Sequence, residues 1–354
     1  MACRLLIAAL SLACTTAQAH AASLLDDPWP APVINEGSGE DVTMRSHTPF
    51  ALEDVGAGPG LDPPRDVNAT FYLPEGASPL RKAPAVVLLH GSAGILQSRE
   101  LTYGPQYAAM GVAALVVDTF GSRRDIATAY VDRVLRITET TMVADAYAAL
   151  RWLAARPDVD ARKVALMGFS YGALATLLAA YEQPALRFAP DGLRFAAHVT
   201  YYGPCLAKFE DSRATGAPIL MLSAEHDAVT DPKRCADAAD ELRRGGTRVE
   251  QLRYDGAYHQ WDGNAGGPDN PVRRASNLAA CRFNVARDGT VRDAKSGLEM
   301  SNAFFRKIIL GLCNDSNGYL QARNDTVRLR SNRDVGRFLA AAFESGAPSR
   351  APKP

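Results

Sequence analysis

Along the chain, seven short apolar runs alternate with longer stretches in which apolar residues recur at helical spacing. The runs are VNATFYLP from Val67, APAVVLLHG from Ala83, VAALVVDTF from Val112, VALMGFS from Val164, FAAHVTYYG from Phe195, APILMLSAEHD from Ala217 and VEQLRYDGAYH from Val249. Most are continuously apolar rather than alternating, the pattern of strands buried on both faces. Between them the periodicity predicts helices around Tyr107 and over 137–155, 171–181 and 232–244, with two more near 302–312 and 334–343. Strand followed by helix, repeated, predicts an α/β fold: a doubly wound, mostly parallel sheet with helices on both faces. Ligands in such folds sit at the carboxyl ends of the strands.

The flanking segments read differently. Residues 22–66 are rich in Pro and Gly and predict a wrapping segment with one or two short strands. The main domain is expected over 67–345, with a polar, turn-rich surface excursion at 262–298 and a disordered tail at 346–354. At the N-terminus, Arg4, an apolar run from Leu5 to Ala13 and small residues around Ala19 and Ala21 have the layout of a signal peptide over 1–21. A lipoprotein cleavage at Cys14 is the lesser alternative, because Ser11 stands where that motif has a larger aliphatic residue. An exported protein, periplasmic or secreted, is the expectation. No later segment has the roughly 18 apolar residues of a membrane span.

Lys plus Arg and Asp plus Glu both number 39, and no basic stripe stands out, so neither nucleic acid nor an anionic membrane surface is an expected partner. A small molecule is. Export makes the cysteines of the mature chain, Cys205, Cys235, Cys281 and Cys313, an expected pair of disulfides. Three pairings are possible, of which Cys205–Cys235 and Cys281–Cys313 is favoured. No Cys/His group has zinc spacing, so no metal and no cofactor are expected. Nothing in the pattern speaks to oligomeric state.

Within VALMGFSYGALATLL one polar residue, Ser170, has a glycine two positions away on either side. Gly-x-Ser-x-Gly is too short to prove anything alone, but here an apolar strand precedes it and a run of helix formers follows. That context predicts a tight turn that lifts a nucleophilic hydroxyl clear of the sheet. Such a serine needs a base. Of the histidines, His198 lies inside an apolar strand and suits a core, while His90, His226 and His259 remain; His259, closing the last strand, is the first choice. The imidazole in turn needs a carboxylate, and Asp227 at the end of APILMLSAEHD is preferred over Glu225 and Asp231. The order Ser170, Asp227, His259 is the one expected of successive strand ends. Oxyanion donors are expected from the backbone N–H groups of Tyr171 and of Ser92 in LLHGSAGI, with His90 bracing that loop. Candidate substrate contacts are Arg123, or its neighbour Arg124, and Trp261, with Tyr201 and Tyr202 beside it; a surface salt bridge for the arginine and core packing for the tyrosines are the ordinary alternatives.

HGSAG, GFSYG, the HD of SAEHD and YDGAYH together resemble the dienelactone hydrolase family of α/β-hydrolases, from about Val67 to about Trp261. The resemblance implies a mainly parallel sheet of about eight strands, puts Ser170, Asp227 and His259 on the family's triad, and puts Ser92 and Tyr171 on its oxyanion donors. Members that open dienelactones carry cysteine at the nucleophile, and the serine here shifts the expectation toward ordinary esters. The function expected is hydrolysis of a short-acyl ester or lactone through an acyl-enzyme, in an open, shallow pocket with no cap domain and only short helices to cover it. A peptidase on the same fold and a catalytically silent binding protein are the rivals.

Overall fold

The computed structural model describes residues 23–32, 39–274 and 276–348; the expected signal peptide at 1–21 lies outside them, as do residues 349–354 of the expected disordered tail. Eight strands form the main sheet. They are β1 (Glu40–His47), β2 (Pro64–Tyr72), β3 (Ala83–Leu89), β4 (Ala113–Val117), β5 (Val159–Phe169), β6 (Ala197–Tyr201), β7 (Ile219–Ala224) and β8 (Val249–Tyr254). Their spatial order is β1-β2-β4-β3-β5-β6-β7-β8. The pairs β1/β2 and β2/β4 are antiparallel and the other neighbours are parallel. Seven strands were legible as apolar runs; β1 lies in the leading segment, where alternating polar residues suit an edge with one exposed face.

The continuous apolar character of β3 has a direct cause. Val87 and Leu89 pack with the core on one face, while Val86 and Leu88 pack with the core on the other. The first core is closed by α3 (Glu139–Ala154) and α4 (Tyr171–Ala179), the second by α1 (Glu100–Ala109) and α8 (Asp325–Ser345). Each fully buried Val or Leu contributes about 1.5–3 kcal/mol, so a one-residue slip of β3 would be costly.

Three elements differ from the sequence reading. The short helices α2 (Tyr130–Arg136) and α5 (Glu182–Phe188) carry too few residues to show a period. Helix α8 begins at Asp325 rather than near Asp334, capped by the Asn324 side chain, which accepts from the Val327 N–H at 3.1 Å. Its first turns look polar, yet Arg328, Ser331 and Asn332 are buried.

The excursion is not a loose surface loop. Phe283–Val285 pairs in parallel with Ala207–Phe209 and antiparallel with Val291–Asp293, and Val272–Arg274 pairs with Tyr319–Gln321. Phe283 and Val285 join the main core. It leads into α7 (Ala303–Cys313), and disulfides join Cys281 to Cys313 and Cys205 to Cys235. The first bond ties the excursion to the end of α7. The second ties the loop after β6 to α6 (Pro232–Arg244). Among the described residues no helix is long and apolar enough to cross a membrane.

Candidate active site

Ser170 sits between β5 and α4 with φ +51° and ψ −106°, a backbone conformation that costs a non-glycine residue about 1–3 kcal/mol. Its neighbours explain how the turn is tolerated. A Cβ on Gly168 would stand 2.1 Å from the Gly172 carbonyl oxygen, and one on Gly172 would stand 2.4 Å from the Leu89 carbonyl oxygen. Only glycine at both places lets the helix start press against β3 and β5, which is what turns the serine side chain out at the sheet's carboxyl edge.

The loops after β7 and β8 reach the same edge. His259 Nε2 lies 2.9 Å from Ser170 Oγ, and His259 Nδ1 lies 2.9 Å from Asp227 Oδ2. A carboxylate only accepts, so Nδ1 carries the proton and Nε2 presents its lone pair to the serine hydroxyl. Asp227 is held by two further donors, the Val229 N–H at 2.8 Å and the Thr230 hydroxyl at 3.0 Å. The His259 side chain is fully buried, and the backbone beside it is pinned where the Ala322 N–H donates to the His259 carbonyl at 3.2 Å.

The rival carboxylates are occupied elsewhere. Glu225 is exposed and accepts the Gly256 N–H at 2.8 Å. Asp231 caps α6, accepting from the Lys233 and Arg234 N–H groups, and pairs with Arg282. His226 is half exposed beside Glu225. His198 is buried in the sheet, where burial pushes its pKa down to about 3 and keeps it neutral. His90 donates from Nδ1 to the Gly91 carbonyl at 2.8 Å and accepts the Phe120 N–H at 3.4 Å, bracing the loop after β3 against the loop after β4.

As the first residue of α4, Tyr171 has a backbone N–H with no acceptor in its own helix, and the Ser92 N–H has no acceptor among the described residues. The loop carrying Ser92 passes against the nucleophile turn: a Cβ on Gly91 would lie 3.5 Å from Ser170 Cβ. Ser92, Ser170 and Tyr171 line one cleft of about 1210 Å³, its open mouth included. Its walls are largely apolar, with Val134, Leu135, Leu174, Leu206, Leu278 and Leu310 among them. No separate cap domain was expected, only short helices over the pocket, and the short helices α2 and α7, with the excursion around Leu278, line the cleft.

Neither candidate substrate contact reaches the cleft. Arg123 is fully buried and makes a forked pair with Asp145, Nη1 to Oδ2 and Nη2 to Oδ1, both 2.8 Å, while Nη2 also donates to the His47 carbonyl at 2.9 Å. Every donor faces protein, so it clamps β1 to α3. Trp261 is fully buried, its N–H donating to Ser331 Oγ at 3.2 Å, with the rings of Tyr201, Tyr202 and Tyr254 packed around it.

Sequence reasoning missed two polar clusters that hold the site. Beneath His259, whose ring is 4.8 Å from that of Tyr202, the Tyr202 hydroxyl donates to Asp262 and accepts from Arg99 Nη1 at 3.3 Å. Burial, and then the Asp262 carboxylate, push the Tyr202 pKa well up, so it stays a donor. At the cleft wall, Arg306 of α7 donates to Glu139 Oε2 at 2.7 Å and to the Val134 carbonyl at 3.0 Å, and lies 3.3 Å from the Tyr171 hydroxyl. No short motif could reveal partners 167 residues apart. Among the described residues no group of His, Cys, Asp and Glu could hold a metal ion.

The model of the dienelactone hydrolase family matches residues 67–280. No curated protein matches the chain. Among solved structures, the chain is similar to a dienelactone hydrolase-like promiscuous phosphotriesterase from metagenomic libraries, 24% identical over 63% of this chain and 85% of that one, with a TM-score of 0.42. It is also similar to esterase 2 of Thermogutta terrifontis, 18% identical over 64% of this chain and 87% of that one, with a TM-score of 0.47.

Proposed function

The chain belongs to the dienelactone hydrolase family, and on that premise we propose that it is an exported serine hydrolase that cleaves carboxylic esters of short to medium apolar acyl groups, lactones included. Ser170 Oγ attacks the acyl carbon while His259 Nε2 takes its proton. Asp227 stabilises the imidazolium and keeps its tautomer. The oxyanion accepts from the N–H groups of Tyr171 and Ser92, and loss of one such donor costs about 2.7–4 kcal/mol of barrier. Collapse of the intermediate expels the alcohol, which takes the proton from Nε2 and leaves an acyl-enzyme. Water, deprotonated by the same nitrogen, then attacks and releases the acid.

The observation that carries this reading is the unbroken hydrogen-bond chain from Ser170 Oγ through His259 to Asp227, at 2.9 Å on both sides of the imidazole. The apolar cleft beside it suits an acyl chain. A serine in place of the family's cysteine calls for general-base help, which this chain supplies. Export accords with the two disulfides. The test is a panel of aryl esters from acetyl to palmitoyl, an anilide and a dienelactone, with Ser170→Ala as the blank. Ester turnover that falls about 10⁴-fold in Ser170→Ala is the expected result. A preference for the anilide would replace the reading by a peptidase, and blank-level rates with tight binding would replace it by a binding protein.

A further inference from the structure

A second cavity, of about 820 Å³ with its mouth, lies behind the loop after β3 and shares no lining residue with the ester cleft. Its walls include Ala93, Gly94, Asp118 and Phe120, and two arginines, Arg124 and Arg133. The Arg133 guanidinium lies over the Phe120 ring, 5.2 Å from its centroid, and its Nε is buried without a hydrogen-bond partner. Neither arginine makes a side-chain hydrogen bond or ion pair with any described residue. The contrast with Arg123 is direct, since that neighbour's guanidinium is consumed by Asp145.

A guanidinium presents five donors in a planar fork matched to carboxylate and phosphate, and a buried donor left unpaired is costly. Phe120 lies beneath one of these forks, so its donor edges are held at the cavity wall in advance. Asp118 is the only carboxylate in the lining, and its Oδ1 already accepts the Gly121 N–H at 2.8 Å. Two guanidinium groups against one carboxylate leave the cavity net positive.

We propose that this cavity is a binding site for a small oxyanion, a carboxylate or phosphate group, distinct from the ester cleft, with Arg133 as its principal donor and Arg124 at its rim. The occupant would abut Ala93 and Gly94, in the turn that carries Ser92.

The experiment is calorimetric titration of the full chain with inorganic phosphate and with acetate at constant ionic strength, chloride serving as the control. One saturable site is expected, weakened at least about tenfold by Arg133→Gln and less by Arg124→Gln, while the melting temperature and ester turnover are kept. Asp118→Asn, which preserves the acceptor for Gly121 and removes the negative charge, should tighten binding. That opposite sign keeps the proposal testable if an arginine variant folds poorly. Binding should survive covalent phosphonylation of Ser170, which blocks the oxyanion donors of the ester cleft. No saturable binding, affinity unchanged in Arg133→Gln, or binding abolished by phosphonylation would each overturn the proposal, and the first two do not depend on whether the ester reading is right.

Discussion

Replacing Glu139 by Gln should leave Arg306 charged, buried and without its counter-ion. Their side chains are 12% and 5% exposed, so solvent screens the pair little. Burial alone would raise the Glu139 pKa, but the Arg306 charge and its hydrogen bonds hold it below the usual carboxylate range. Removing one partner of a buried pair costs about 3–5 kcal/mol. Arg306 would keep the Val134 carbonyl and the Tyr171 hydroxyl, so a loss near the lower end, about 3 kcal/mol, is expected. Because the folded pKa is depressed, the contribution is complete above the unfolded value of about 4.3 and is lost as pH falls through the folded value. Denaturant unfolding at pH 7 and again at successively lower pH measures both the size and the window. The gap between wild type and Glu139→Gln should close toward acid, and Glu139→Gln/Arg306→Met should recover most of the loss at pH 7. Since α7 walls the cleft, Glu139→Gln should also raise KM for longer acyl chains more than it lowers kcat. A change in stability below about 0.5 kcal/mol at pH 7, or one independent of pH, would refute the argument.

Asp227→Asn should cut kcat about 10⁴-fold with stability little changed, while Glu225→Gln stays near wild type and Asp231→Asn, whose amide oxygen still caps α6 and which loses only the part-exposed pair with Arg282, costs at most about 1 kcal/mol of stability with turnover kept; steady-state kinetics beside melting curves separate the three. Gly172→Ala should abolish turnover and lower the melting temperature, because its Cβ would stand 2.4 Å from the Leu89 carbonyl oxygen; retained activity would mean that the helix start can retreat from β3. Removing the Cys205–Cys235 bond, 30 residues apart, by Cys205→Ala/Cys235→Ala should cost about 3–4 kcal/mol, read as a shift in unfolding midpoint from wild type without reductant, and a shift under about 1 kcal/mol would count against it.

What the chain declares locally is considerable. The continuous apolar runs specify doubly buried strands, and Gly168 and Gly172 around Ser170 specify the turn, because the residues that must approach are neighbours in sequence or belong to the adjoining strand. The favoured cysteine pairing is the one the structure has, and of the three carboxylates within seven positions it is Asp227 whose side chain lies 2.9 Å from His259 Nδ1. Tertiary structure decided the rest. Beside a strand end Arg123 could have met a substrate carboxylate or a surface partner, and it is the buried Asp145 packed under it that takes its fork, while Trp261 read as a pocket wall until α8 brought Ser331 to its N–H. The excursion read as polar surface because its inward apolar residues, among them Leu278 and Phe283, are scattered among polar ones, and one-sided burial without a regular period leaves no pattern. Local sequence records backbone geometry and average burial, whereas the partner of a charge or the roof of a cleft depends on which distant segments the fold brings together, and no window along the chain contains both.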